Sequence, residues 1–524
     1  MRKFDYIVIG TGAANIVTDA AIDAGKTVAM IEKAEFGGTC LNRGCIPTKS
    51  LLTPIDYKKD FERLKEIGLI EGEFKINYEK LKERTFHHSH HHSQLVFEEY
   101  QAEENVSIYQ GEGFFTGEKT LQVRLNDGTL SEELMGDQIV IANGAKTRIP
   151  NTIKGLEQID YLTTEKFFGN DFPEKPFESL TILGGGVIAA EFAHFFANLG
   201  TKVTIVQHNP RFLPHYDKDV IDVVLDEYKE ENIDVYLHVE MLDIKKIDGQ
   251  LHMTIENIDT GEQTQIVSEQ ILLAIGLESN SKSLQVEKAG IETDKRGWIK
   301  TNEFLETSAD GIYCMGDANG KFQLRHVANY EAEIIAFNLF ERFENHGKSD
   351  VPPRRRARYD VVPAAVFTGP QVAMVGLNRK QIEQANIDVV EAKYYYGYTS
   401  KPFAMGYEYG EEKHFVKVLA DRKTHRLLGV QIVGPEASVL TQIYANLMNS
   451  GQYTYQIIEG EIASEETKKE RVIYPERYID PTTTTALNYA MTIHPALSEV
   501  ATWAASEIDF EEIIKNEEIQ QEDK

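Results

Sequence analysis

Two stretches of the chain share one pattern: an apolar run, a glycine turn, a helix-like stretch and a second apolar run. The first leads from FDYIVIG (residues 4–10) to AGKTVAMIEK (24–33), and the second is LTILGGGVIAAEFAHFFANLGTKVTIVQH (180–208). Short apolar runs bounded by glycine fit strands buried on both faces. Each stretch therefore predicts a strand–turn–helix–strand unit of the kind that binds nucleotides. The pattern elsewhere is shorter in period. Residues 105–130 read as short strands with glycine turns, and DQIVIANGAKTRIP (137–150) ends in a turn that closes a first domain. ILLAIG (271–276) and GIYCMGD (311–317) are further buried strands. After the basic, Pro-containing stretch VPPRRRARYDVVP (351–363), alternation in HFVKVLA (414–420) and RLLGVQIVG (426–434) predicts an antiparallel sheet with helices. The expected class is α/β: two Rossmann-like units plus a C-terminal α+β domain.

Composition narrows the function. A length of 524 residues allows three to four domains, and 42% apolar with 26% charged residues is ordinary for a globular enzyme. The net charge of −28 repels phosphate backbones, so nucleic acid is not expected as a partner. No apolar run reaches the ~18 to 20 residues that cross a bilayer, and the start, MRKFDYIVIG, lacks a signal peptide's apolar stretch. A soluble, cytoplasmic enzyme without a membrane partner is the expectation.

Candidate chemistry begins at the glycine turns. Gly10 and Gly12 follow a strand, and Glu32 ends the next strand. Such glycines permit a tight turn and close approach of a pyrophosphate, and a carboxylate at that distance accepts from ribose hydroxyls. Asn15 stands where a third glycine is expected, so looser helix packing is predicted there. In the second unit Gly184, Gly186 and Ala189 take the turn positions, and Gln207 stands where the first unit has its acid. A carboxylate would repel a 2′-phosphate, whereas Gln207, His208 and Arg211 tolerate or bind one. This favours NADPH over NADH, with Gln207 bonding NADH ribose hydroxyls as the alternative.

Cys40 and Cys45 lie five residues apart in GGTCLNRGCIPTKSLL (37–52). On a regular helix their Cα atoms would be roughly 8.7 Å apart, whereas a disulfide needs less than ~7 Å. A bridge therefore requires distorted backbone, which Gly44 and Pro47 make available, and a strained bridge is easily reduced. Spacing alone leaves two unrelated buried thiols as an equal reading.

At this point the sequence resembles the pyridine nucleotide-disulfide oxidoreductases, the family of dihydrolipoamide dehydrogenase, glutathione reductase, mercuric reductase and mycothione reductase. The resemblance rests on Cys40 to Lys49, the two glycine turns, IANGA (141–145), AIG (274–276), GIYCMGD and HPALSE (494–499). It implies an FAD domain in two segments (1–150 and 279–348), an NAD(P) domain (151–278) and a dimerisation domain (349–524). By the same resemblance, Gly10, Gly12, Glu32, Thr39, Gly144 and Asp317 match FAD-contacting positions. Gly184, Gly186, Gln207, Gly276 and Glu191 match nicotinamide-cofactor positions, with Glu191 the partner of Lys49. Cys45 matches the thiol beside the flavin, and Cys40 the interchange thiol that attacks substrate. His494 and Glu499 match an acid/base pair that lowers the Cys40 pKa and serves the other subunit's site, which makes a homodimer the active unit.

Within the family, GGGVIAAEFAHFFANLG, RHVANYEAE and VPAAVFTGPQVAMVGL resemble mycothione reductases, implying reduction of a small thiol disulfide. The alternative is a dihydrolipoyl dehydrogenase acting within a multienzyme complex, for which Gln207 is awkward. Mercuric reductase lacks support because only Cys314 remains beyond the pair, and Cys314 reads as a packed core residue. Three segments stay outside this assignment. The polar 459–485 stretch precedes His494 and is expected as a flap or partner surface, and 507–524 is an acidic tail. HHSHHHS (87–93) sets His87 with His91 and His88 with His92 at i,i+4 spacing. With no carboxylates or cysteines beside them, no metal centre is expected.

Overall fold

The computed structural model describes residues 1–343, 353–398, 400–422, 427–449 and 491–494. Glu499, the 459–485 stretch and the acidic tail lie outside these residues.

The first apolar unit forms Arg2–Ile9, helix α1 (Asn15–Asp23) and Val28–Glu32. The two strands pair in parallel, with Ile7 opposite Ala29. Leu134–Ile141 flanks the first strand on its other side, also parallel. Ile312–Cys314 then joins Leu134–Ile141 in parallel, so a distant stretch of chain completes the same sheet. Val106–Gly117 and Thr120–Leu125 extend this sheet as an antiparallel hairpin. Cys314 is fully buried in its core.

Between Val28–Glu32 and Val106–Gly117 lie three helices that build the reactive region: α2 (Gly38–Asn42), α3 (Cys45–Glu66) and α4 (Tyr78–Ala102). The second unit makes a four-stranded parallel sheet in the order Gln270–Leu273, Ser179–Leu183, Lys202–Gln207, Asp234–Leu237. It is covered by α5 (Val187–Ala197) and α6 (Lys218–Glu230) and followed by an antiparallel sheet over residues 239–268. Ala145–Thr147 and Leu277–Ser279 pair antiparallel where the chain leaves and re-enters the first sheet's side. Helix α7 (Arg325–Leu339) closes the first domain. The expected alternating strands then form a five-stranded antiparallel sheet over residues 364–433, backed by α8 (Ala437–Asn449).

One core fixes α3. Leu51, Leu52 and Ile55 pack with Phe192 and Phe196 of α5 and with Val366, Val372, Phe415 and Val433 of the C-terminal sheet. Helix α5 is apolar nearly all round because it is covered on every side. Burying each such aliphatic side chain contributes about 1.5–3 kcal/mol, so α3 is held as a rigid beam between two sheets. Pro47 sits in its first turn, where the missing N–H has no helical partner to lose.

Candidate active site

The two glycine turns are built alike. Gly10 has φ +101°, and a Cβ there would lie 2.3 Å from Ala142 O. Gly184 has φ +124°, and its Cβ would lie 2.2 Å from Ala274 O. In each unit the turn can seat against the neighbouring strand only because the residue is glycine. By contrast, nothing stands within 4 Å of a Cβ on Gly144, Gly186 or Gly276, so the backbone there borders open space. The turns lead into the N-terminal ends of α1 and α5, whose free N–H groups suit a pyrophosphate.

The strand-end residues differ between the units. Glu32 folds back on its turn: Oε2 accepts from Thr11 N at 3.0 Å and Thr11 Oγ1 at 2.8 Å. Gln207 is buried beneath Gly185, whose Cβ would meet its side-chain carbon at 2.9 Å, and its Nε2 donates to Arg211 O at 3.3 Å. The Arg211 guanidinium donates to Tyr216 O. His208 is exposed. Asn15 opens α1, and its buried Oδ1 has no partner among the described residues. An orphan acceptor at this turn fits a dinucleotide bearing hydroxyl donors.

The reactive loop is not one helix. Helix α2 ends at Asn42, Gly44 has φ −137° and ψ −113°, and α3 starts at Cys45. A Cβ on Gly44 would lie 3.0 Å from Thr39 O, so glycine lets the two helix ends approach. Thr39 itself is exposed on α2. Asn42 Nδ2 braces the loop by donating to Phe36 O at 2.8 Å and Gly38 O at 3.1 Å. This break brings the thiols of Cys40 and Cys45 into a hydrogen bond, which a continuous helix would forbid.

The pair is polarised. The hydrogen bond from Cys40, with the charges of Lys49, His494 and Arg325, outweighs burial and lowers Cys45 to about 6. Burial, followed by that same hydrogen bond and the Cys45 charge, pushes Cys40 well above its ordinary value. Cys45 also begins α3, and a helix N-terminus favours thiolate. One shared proton cannot favour both thiolates, and the surrounding positive charge favours the Cys45 thiolate.

Lys49, one turn further along α3, points its Nζ at both Glu191 oxygens, 2.7 Å from each. Glu191 Oε1 also accepts from Phe367 N at 3.0 Å, and Lys49 Nζ lies 4.7 Å from the Phe367 ring centre. Asp317 follows the Ile312–Cys314 strand and is half-buried; desolvation and then the Cys45 and Glu331 charges raise it to about 7. Arg325 starts α7, with one guanidinium nitrogen 3.7 Å from a Cβ position on Gly12. Beside it, buried His326 bonds Pro363 O through Nε2 at 2.7 Å, and its Nδ1 has no partner among the described residues. Gln442 on α8 holds the chain before His494, donating to Met491 O at 3.1 Å and accepting from Ile493 N at 2.8 Å. This clamp sets His494 where its charge acts on Cys45.

Arg325, His326 and Phe367 were not singled out by sequence reasoning. Arg325 and His326 lie in the string RHVANYEAE, and Phe367 in VPAAVFTGP, where no local pattern marks them as site residues.

Compared with known protein families, residues 4–332 match the pyridine nucleotide-disulphide oxidoreductase family, and residues 362–472 match its dimerisation domain. The chain belongs to this family. It is thus a flavoprotein oxidoreductase that acts on sulfur groups with FAD and NAD(P)H, and the matched dimerisation domain makes a homodimer its assembly. Mycothione reductase of Mycobacterium tuberculosis is 31% identical over 462 residues, covering 88% of this chain and 96% of the relative. Dihydrolipoyl dehydrogenase of Chlamydia trachomatis is 29% identical over 451 residues, covering 84% and 89%. The HOCl-induced flavoprotein disulfide reductase RclA of Escherichia coli shares the fold, with a TM-score of 0.71 at 24% identity, over 96% of this chain and all of that one. No helix among the described residues is long and apolar enough to cross a membrane.

Proposed function

We propose that the protein reduces a low-molecular-weight disulfide with NADPH, through a disulfide formed between Cys40 and Cys45. The observation that carries this reading is the polarised thiol pair, with Cys45 lowered to about 6 and Cys40 raised above its ordinary range. One cysteine is thereby suited to hold charge, and the other to receive a base and attack.

Bound FAD would supply the two-electron chemistry that links NADPH to the Cys40–Cys45 disulfide. The chain's own residues then divide the work. Lys49 and Glu191 orient the reducing face beside α3, while Asp317, Glu32, Gly10, Gly12, Thr39 and Gly144 hold the dinucleotide. Gly184, Gly186, Gln207 and Gly276 border the nicotinamide cofactor. His494, with Glu499 as its orienting acid, removes the Cys40 proton, and the Cys40 sulfur attacks one sulfur of the substrate disulfide. The departing thiolate takes that proton back from His494. Cys45 thiolate then attacks the Cys40 sulfur, the mixed disulfide breaks, and the second product leaves as a thiolate that takes a proton from solvent as the bridge re-forms. Two electrons and two protons balance two thiols formed.

Neutral Gln207 in place of an acid supports NADPH, and the likeness to mycothione reductase supports a small thiol disulfide as substrate. The runner-up is a dihydrolipoyl dehydrogenase running in the oxidative direction within a multienzyme complex, a relative at 29% identity. Rapid-mixing reduction by NADPH and NADH, followed by turnover with a panel of small disulfides and with dihydrolipoamide plus NAD, separates them. Faster flavin bleaching by NADPH and turnover of a small disulfide are expected. Turnover of dihydrolipoamide alone overturns the proposal.

A further inference from the structure

The histidine tract lies on α4, and the rotation of that helix is fixed. Leu81, Thr85, Ser89 and Ser93 form its buried face, and Ser93 Oγ donates to Phe36 O at 2.8 Å. His87, His88, His90, His91 and His92 are consequently all exposed. The i,i+4 pairs meet as the helical repeat requires. Ring centres of His88 and His92 lie 4.4 Å apart, and those of His87 and His91 lie 5.8 Å apart with planes 2° from parallel.

A metal ion shared by two imidazoles sits ~2.0–2.1 Å from each nitrogen, hence ~3.2 Å from each ring centre. For nitrogen–metal–nitrogen angles of about 90–110°, the ring centres must then be roughly 4.5–5.2 Å apart. His88 and His92 meet that separation almost without adjustment. The parallel stack of His87 and His91 is wider, at 5.8 Å between ring centres. We propose that His88 and His92 form a two-imidazole surface site for a first-row divalent metal ion, with water completing the coordination.

Among the described residues no group of three or more His, Cys, Asp or Glu is placed to hold a metal ion, so the site is an open chelate and not a closed structural centre. Imidazole pairs follow the order in which Cu2+ binds most tightly, ahead of Ni2+ and Zn2+.

The test is calorimetric titration of the untagged FAD-loaded dimer with Cu2+, Ni2+ and Zn2+, with the Cys40–Cys45 bridge oxidised so that neither thiol chelates. Wild type is expected to take up Cu2+ most tightly. The double substitution H88A/H92A should weaken uptake by ~10-fold or more, and H87A/H91A by clearly less. Both variants should keep wild-type disulfide turnover, because none of the four histidines belongs to the catalytic machinery. Absence of uptake by wild type, unchanged uptake in H88A/H92A, or an equal or larger loss in H87A/H91A overturns the assignment.

Discussion

Lys49 and Glu191 lie 142 residues apart in sequence and meet at 2.7 Å, joining the helix that carries Cys45 to the helix that opens on the second glycine turn. Glu191 also accepts from Phe367 N, so one carboxylate ties three parts of the chain together. Glu191→Ala removes that tie and leaves a half-buried ammonium and a buried N–H without their acceptor. A misplacement of about 1 Å in a reacting group costs on the order of 100-fold in rate. Flavin reduction by NADPH, followed by rapid mixing, should slow by roughly that factor, with protein yield and FAD content kept. A rate within about threefold of wild type would show that the pair does not orient the reaction.

The polarised cysteines make a spectroscopic prediction. In the two-electron-reduced enzyme, Cys45 thiolate against the flavin should give a long-wavelength absorption band. Because the thiolate is the form above the pKa, the band is present at neutral pH and fades as pH falls through about 6. Cys45→Ser should abolish it. Cys40→Ala removes the largest influence that lowers Cys45, so the midpoint should move upward. A midpoint unmoved in Cys40→Ala would place the stabilisation elsewhere.

Much of this architecture was legible in the chain. The duplicated apolar run and glycine turn announced both parallel sheets, because burial on both faces leaves a continuous apolar signature and the turn demands glycine at Gly10 and Gly184. The need for a break between Cys40 and Cys45 followed from helix geometry, and Gly44 supplies it. What the sequence could not carry is electrostatic and long-range. The charges of Lys49, His494 and Arg325 converge on Cys45, and Arg325 arrives on a helix far along the chain. Periodicity reports which face of an element is buried, not which charged groups meet there.

His194 illustrates the same limit. It reads as one polar residue in an apolar helix, yet it is fully buried, with Nε2 3.2 Å from Asp56 on α3 and Nδ1 4.0 Å from Glu231. Lys59 reaches the same Glu231 at 2.7 Å. Burial acts to lower the His194 pKa, but its hydrogen bonds to Asp56 and Glu231 and their charges outweigh it and raise it to about 9. The folded value lies above the ordinary one near 6.5, so this stabilisation is complete below about pH 6.5 and is lost as pH rises through about 9. Breaking a buried pair from one side costs about 3–5 kcal/mol. His194→Gln should therefore lower the melting temperature at pH 7 and flatten its decline between pH 7 and 10. An unchanged alkaline decline would mean that another group titrates there.

Cofactor choice turns on a single position. Glu32 and Gln207 end equivalent strands, and each folds back against its own glycine turn. Gln207→Glu installs the first unit's charge in the second. At a separation of ~4 Å and an effective dielectric near 20, two like charges repel by about 4 kcal/mol, and solvent reduces this at a nucleotide's 2′-phosphate. A fall of at least ~10-fold in kcat/KM for NADPH is expected, with NADH affected much less because it carries no such phosphate. The KM for NADPH should take most of the change, since the phosphate is remote from the transferred hydride. If NADPH and NADH lose activity in equal measure, the substitution has disturbed the turn beneath Gly185, and Gln207 does not discriminate between the two donors.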